Sequence, residues 1–219
     1  MKIELVVGVY ADPDADRIND IAGALERNLA NSEIDKVHAL IEDRDFYEKL
    51  GTHGPEIESR IRSLLSCAKV MTPGRRMLFS DYFGYANEHL DGSIAVVANA
   101  DIYFDKTIGL LRKTDLTDTL VCLSKYEGTP PKLWRSYDSQ DAWAFRPPLR
   151  VEAGFELGRP GCDNALAHLA AQTGLKTINP CLSVFAYHLD KRSRKRRRDE
   201  PVAGPYKLVM PIALEILKQ

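Results

Sequence analysis

Cysteine is scarce in this sequence: Cys67, Cys122, Cys162 and Cys181 are the only four in 219 residues, and no two form a C-x-x-C pair. That spacing excludes the dense disulfide framework of a small secreted domain, so the thiols are expected to be reduced and mostly in the core. Long apolar runs are missing too. No segment reaches the roughly 18 residues that a membrane-spanning helix needs. The opening MKIELVVGVY passes straight into the acidic DPDAD, without the longer apolar region and cleavage site of a signal peptide. A cytoplasmic protein is expected. Charge of one sign is also lacking, since 30 Lys and Arg oppose 31 Asp and Glu for a net charge of −1. Such balance excludes a whole-surface attraction to nucleic acid or an anionic membrane and leaves polyanion contacts to local clusters. With no internal repeat and no linker, one domain is favoured.

What is present suits a packed core, with 44% hydrophobic and 28% charged residues. IELVVGVYA at 3–11 is an apolar run of strand length, and after the acidic loop Ile18, Ile21, Leu25 and Leu29 recur at helical spacing. DKVHALI predicts a second strand, ended by Glu42 and Asp43. EIESRIRSLLSCA predicts a helix, AKVMT a short strand broken by Pro73 and Gly74, and SDYFGYANEHL a helix capped by Ser80. SIAVVANADIYF is the strongest strand, after which Asp105 leads into the short helix KTIGLLRK and then the strand LVCLSKYE. Residues 127–163 are rich in Pro and Gly, with a short strand at DAWAFR. DNALAHLAAQTG predicts a helix ending at Gly174, and KTINPCLSVFAYHL a strand, a turn and a strand. Strands alternating with helices imply an α/β fold whose mostly parallel sheet is covered on both faces, with ligands bound outside the carboxyl ends of its strands.

Glu42, Asp43, Asn99 and Asp101 all fall at such ends. Asn99, Asp101 and Asp105 offer oxygens to a hard divalent cation, although Asn99 as a turn residue and Asp105 as a helix cap account for the same spacing. Tyr10 and Ala11 after the first strand, with Glu42 and Asp43 after the second, are placed to cradle a nucleobase and ribose. Arg75 and Arg76 could meet phosphate oxygens, or be solvated. Trp143 and Phe145, on one face of a strand, suit a sugar-stacking platform or the core.

The segments ANADIYFD, SQDAWAF, GRPGCDNALAHL and NPCLSVFAYHLD, in this order, resemble bacterial glycosyltransferase-like proteins of the nucleotide-diphospho-sugar transferase superfamily, over roughly residues 3–190. The resemblance implies a single-domain GT-A fold: a Rossmann-like, mostly parallel central sheet flanked by helices, binding a nucleoside diphosphate sugar, with Mn2+ or Mg2+ on an acidic D-x-D motif. Here that motif reads Asn99-Ala100-Asp101, with a neutral oxygen in place of one charge. The resemblance also implies that His188 completes the metal site with Asp101, although a lone histidine at a strand end is more often a hydrogen-bonded structural residue, and that an aspartate serves as the base deprotonating an acceptor hydroxyl. Asp163 is the first candidate for that base, at a helix N-terminus expected to lower its pKa and keep it anionic, and Asp141 is the second. Equally, Asp163 could simply cap the helix.

The expected activity is transfer of a sugar to a saccharide or lipid-linked acceptor, as in surface polysaccharide synthesis. A nucleotidyltransferase would carry a basic, glycine-rich loop after its first strand, whereas this loop is the acidic DPDADR. The other alternative is a non-catalytic sugar-nucleotide-binding or protein-interaction module of the same fold. Residues 191–219 fall outside the resemblance. They comprise the basic run KRSRKRRR at 191–198 and a helix-like PIALEILKQ, expected to pack on the domain or to meet a second copy in a homo-oligomer. The basic run would suit peripheral contact with an anionic membrane surface. Without interleaved aromatics it does not point to nucleic acid.

Overall fold

The computed structural model describes residues 1–134, 138–189 and 200–214. The chain runs β1 (Ile3–Val9), α1 (Ala15–Leu29), β2 (Lys36–Ile41), α2 (Phe46–Gly51), α3 (Pro55–Ser66), β3 (Lys69–Met71), α4 (Phe79–His89), β4 (Ile94–Ala98), β5 (Ile102–Phe104) and a 3-10 helix (Lys106–Lys113). It continues through β6 (Thr119–Leu123), β7 (Lys125–Glu127), β8 (Lys132–Leu133), β9 (Ala142–Phe145), α5 (Cys162–Gln172), β10 (Lys176–Ile178) and β11 (Ala186–His188).

The central sheet has the order β10-β6-β9-β4-β1-β2-β3. All neighbours are parallel except β9, which is antiparallel to both β4 and β6. From β1 the chain winds outward through β2 and β3, then crosses back to place β4 on the other side of β1. The gap beyond the ends of β1 and β4 is therefore the point where the winding reverses, which is where ligands of open α/β sheets sit. A second sheet, β5-β11-β7-β8, is built from segments that leave this same edge.

Period-2 alternation explains the layering. Ile3, Leu5, Val7 and Val9 of β1 join Ile18, Ile21 and Leu25 of α1 in one core, while Val6 joins Phe79, Tyr82 and Phe83 of α4 in the other. Each fully buried large aliphatic contributes roughly 1.5–3 kcal/mol, so both helices are held by their apolar stripes. β9 alternates in the same way. Ala142 and Ala144 face the α1 side and Trp143 and Phe145 the α4 side. Trp143 is 0% exposed, with its ring edge-on to Phe79 at 4.7 Å, so it is a core residue and offers no platform to a sugar.

Three further expectations change. Helix α4 begins at Phe79, with the Leu78 amide donating to Asp81; the Ser80 hydroxyl instead accepts from the Ala153 amide. The long apolar segment at 93–104 is two strands in two sheets, parted at Asn99–Asp101. Residues 211–214 are not helical: Pro211 bridges Asn179, and the Ile212 amide donates to the Asn179 carbonyl, laying this segment on the domain. The basic run at 191–198 and residues 215–219 lie outside the described residues. Among the described residues no helix is long and apolar enough to cross a membrane. Cys122, Cys162 and Cys181 are buried and free, and Cys67 is exposed and free.

Candidate functional site

Polar groups collect where β1, β2 and β4 end. Arg17, in the first turn of α1, turns back under its own loop: Nη1 donates to Asp101 Oδ2, and Nε and Nη2 donate to the Tyr10 hydroxyl at 3.0 and 2.9 Å. On the same Asp101 oxygen, His188 places Nε2 at 2.7 Å. A ring nitrogen that close to a carboxylate carries its proton and donates. Burial, with Asp101 only 2% exposed, would by itself raise its pKa, but the His188 hydrogen bond and the Arg17 charge outweigh it and hold the carboxyl well below the usual range. Burial works against the cations too. The same contact with Asp101 nevertheless raises both His188 and Arg17 above their ordinary values.

The second strand contributes Glu42, buried beneath the site. It accepts from the Tyr82 hydroxyl (3.0 Å), the Met77 amide (3.3 Å) and Arg76 Nη1 (3.2 Å). Such close approach requires Gly8 in β1, where a Cβ would stand 2.8 Å from Glu42 Oε1 and nearer still to the Tyr82 hydroxyl. Burial raises the Glu42 pKa, with Arg76 opposing. Glu42 is thus spent on holding the protein together, and the expected ribose contact has only Asp43 to serve it. Asp43 accepts from the Ala11 amide at 2.7 Å, fastening the first loop to the second. Arg76 also lies over the Tyr10 ring, 5.4 Å from its centroid, while Arg17 lies 5.8 Å from the same centroid. Arg75 points elsewhere and pairs with Asp81 at the surface.

Across the gap, the antiparallel direction of β9 brings its first residues to the edge where the parallel strands end. Asp141 Oδ1 accepts from the Asn99 amide nitrogen at 2.6 Å, and Lys125 of β7 sits 3.4 Å from Asp141 Oδ2. Glu127 lies 3.8 Å from His188 Nδ1 and 4.0 Å from Lys125. Asp163 opens α5 and accepts from the Gln140 amide at 3.0 Å. The expectation that the helix end would lower its pKa is overturned. Burial, with the Asp141 charge adding to it, pushes the Asp163 carboxyl up to about 6 despite its backbone donors. At Gly158 (φ +83°) the preceding loop runs between the two sides, since a Cβ there would lie 3.8 Å from both Arg76 Nη2 and Asn99 Oδ1.

Tyr10, Ala11, Asp43, Arg76, Asn99, Asp101, Asp141, Asp163 and His188 are all brought to this edge, as the sequence suggests. Asp105 is not. It caps the 3-10 helix through the Thr107 amide and accepts from the Tyr187 hydroxyl, as a structural residue does. Arg17, Lys125 and Glu127 were not anticipated. A hollow of about 230 Å3, lined by Asp118, Arg146 and Leu149 among others, opens at the opposite end of β6 and shares no residue with the cluster.

The expected divalent cation fits poorly. Asp101 Oδ2 already carries a guanidinium and an imidazole N–H, so neither that oxygen nor His188 Nε2 has a lone pair directed to a metal, and a dication would face Arg17. Among the described residues no group of three or more His, Cys, Asp or Glu is assembled to hold a metal ion.

No protein-family model and no curated protein matches the sequence. Among solved structures, the mannosyltransferase PcManGT from Pyrobaculum calidifontis, in complex with GDP-Man and Mn2+, superposes over 88% of this chain and 58% of its own, at 15% identity and a TM-score of 0.56. This chain therefore spans somewhat over half of that protein's length. The 4-diphosphocytidyl-2C-methyl-D-erythritol synthase of Anaerococcus prevotii is more distant, with 13% identity, 81% and 86% coverage and a TM-score of 0.45. The sheet order, the antiparallel β9 and the superposition on the mannosyltransferase give this chain a GT-A-type fold.

Proposed function

We propose that the protein is a nucleotide-sugar-dependent glycosyltransferase. The observation that carries this reading is the pairing, across one sheet edge, of an arginine cluster (Arg17 and Arg76 about Tyr10) with a half-buried aspartate of raised pKa, Asp163. The donor's diphosphate is bound on the arginine side. Tyr10, Ala11 and Asp43 lie beside the nucleoside, and the sugar reaches toward Asn99, Asp141 and Asp163. An acceptor hydroxyl, from a saccharide or a lipid-linked saccharide, attacks the anomeric carbon. Its oxygen forms the new glycosidic bond, its proton passes to Asp163, and the bond from carbon to the diphosphate oxygen breaks with its electron pair leaving on the nucleoside diphosphate. A carboxylate titrating near 6 is largely ionised at neutral pH yet basic enough to accept that proton. Asp141, beside it, is the alternative base.

The product is assigned to surface polysaccharide synthesis at the inner face of the membrane, with the basic run at 191–198 attracted to anionic lipid. The segment after that run supports the assignment: Leu208, Met210 and Ile212 alternate along it at 55%, 56% and 41% exposure, a row of apolar side chains that water does not favour.

The test is binding followed by turnover. UDP, GDP, CMP and TDP are screened by thermal shift. A nucleotide at a hundred times its Kd stabilises by about 2.7 kcal/mol, or about 5–10 °C for a chain of this size. The matching sugar nucleotide should then release its nucleoside diphosphate faster when an acceptor is added. Silence from all four nucleotides would overturn the reading, and binding without turnover would favour the non-catalytic module.

A further inference from the structure

Resting on the transferase reading, we propose that Arg17 itself takes the place of a divalent cation: the guanidinium, anchored on Asp101 and Tyr10, binds the donor diphosphate and neutralises it as it leaves. Three observations converge on this. First, Arg17 stands where β1 and β4 part, on the first turn of the helix that follows β1, and it already occupies the Asp101 oxygen on which a metal would sit. Second, three of its five N–H groups are satisfied internally, one by Asp101 and two by the Tyr10 hydroxyl, which leaves one on each Nη for another acceptor. A planar fork with two N–H groups to give is suited to adjacent phosphate oxygens. Third, Arg76 approaches the same Tyr10 ring with its side chain 35% exposed, anchored from below by Glu42.

Each arginine is thus held by its own buried carboxylate, and both converge on one phenol. A salt bridge serving stability alone would have no use for this convergence at a strand-end crevice. In this arrangement Asp101 is a positioning residue, which fixes the guanidinium and touches no substrate. His188 donates to the same oxygen at 2.7 Å and shares in fixing that carboxylate.

Calorimetric titration of the intact protein with the nucleoside diphosphate identified by the thermal screen tests the proposal, in excess EDTA and in excess MnCl2. The affinity should differ by less than about threefold between the two conditions. In EDTA, Arg17→Gln should weaken binding by about 10- to 100-fold, the range of a lost charge-assisted hydrogen bond. Arg17→Lys, which keeps the charge and loses the fork, should fall between. Asp101→Asn, whose amide oxygen still accepts from Arg17, should retain binding within about tenfold of wild type. Circular dichroism on each variant separates lost binding from lost folding, and the comparison of EDTA with manganese on the wild-type chain needs no variant. Binding that requires manganese and disappears in Asp101→Asn would overturn the proposal while leaving the transferase reading standing. Absence of nucleotide binding in both conditions would overturn both.

Discussion

Asp101 and Asp163 sit at the same edge of the sheet, the first fully buried and the second half-buried, yet their surroundings drive them in opposite directions. Asp101, at the end of β4, meets a guanidinium and an imidazole and is fixed as an anion. Asp163, at the start of α5, meets backbone amides and a second aspartate, and its carboxyl rises to about 6. Burial is the largest influence on each, so depth alone does not decide the charge of a carboxylate; its ionic partners do. One edge therefore holds one carboxylate fixed as an anion in an ion pair and a second whose pKa is raised to about 6.

The largest effect expected from breaking this contrast is catalytic. Asp163→Asn should lower turnover by about 10²–10⁴-fold, the usual contribution of a general base, while nucleotide affinity stays close to wild type. Wild-type kcat/KM should fall as the pH drops through about 6, where Asp163 protonates. If Asp141→Asn removes that limb instead, the base has been assigned to the wrong carboxylate of the pair.

Next in size is the cost of isolating the fixed anion. Arg17→Ala leaves Asp101 buried beside His188 alone and should destabilise the fold by about 3–5 kcal/mol, read from denaturant unfolding at neutral pH. Because the Asp101 carboxyl is depressed in the folded state, its contribution is fully present above the ordinary carboxylate pKa and is lost as the pH falls below it. The variant and wild type should therefore converge in acid.

Asp163 carries the opposite sign. Its folded-state pKa lies above the ordinary 3.8, so the native state holds the proton longer than the unfolded chain, and stability declines as the pH rises from about 4 to 6. Asp163→Asn removes that penalty and should stabilise the protein by about 2–3 kcal/mol at pH 8 and by much less near pH 4. A variant that gains stability as it loses turnover would show that the raised pKa is maintained for chemistry. Equal stability at both pH values would place the carboxylate in water and weaken the contrast.

How much of this was legible in sequence follows from which forces are local. The winding β1-α1-β2 and the strand ends at Tyr10, Asp43 and Asn99 are written in apolar runs and their polar termini, and they fold as read. The division of SIAVVANADIYF between two sheets is not. It depends on Asn99 taking Asp141 as its partner 42 residues away, a contact with no local signature. Trp143 stood next to a polar SQD segment, but the strand period decides its face, and that face is core. Arg17 was hidden by averaging, since DPDADR reads as an acidic loop although its one cation closes the site. A basic residue ending an acidic loop after the first strand was the available signal. The rise of Asp163 could not be read at all, because a helix end predicts the opposite shift, and partial burial together with the Asp141 charge reverses it.

The smallest expected effect is the sharpest control on the arginine side. Arg75 and Arg76 are adjacent in sequence and equally charged, so a site that attracted phosphate by general positive potential would feel the loss of either. They differ in what they reach. Arg75 pairs with Asp81 on the surface, whereas Arg76 is held by Glu42 and Leu157 over Tyr10. Exposed pairs contribute little and are screened by salt. Arg75→Ala should therefore leave nucleotide affinity within about twofold of wild type, and Arg76→Ala should weaken it by about 3- to 10-fold. Calorimetry at two salt concentrations separates the cases: equal losses that vanish in high salt would mean a diffuse basic surface, while a loss confined to Arg76 that persists in salt would locate the diphosphate on the Tyr10 side of the crevice.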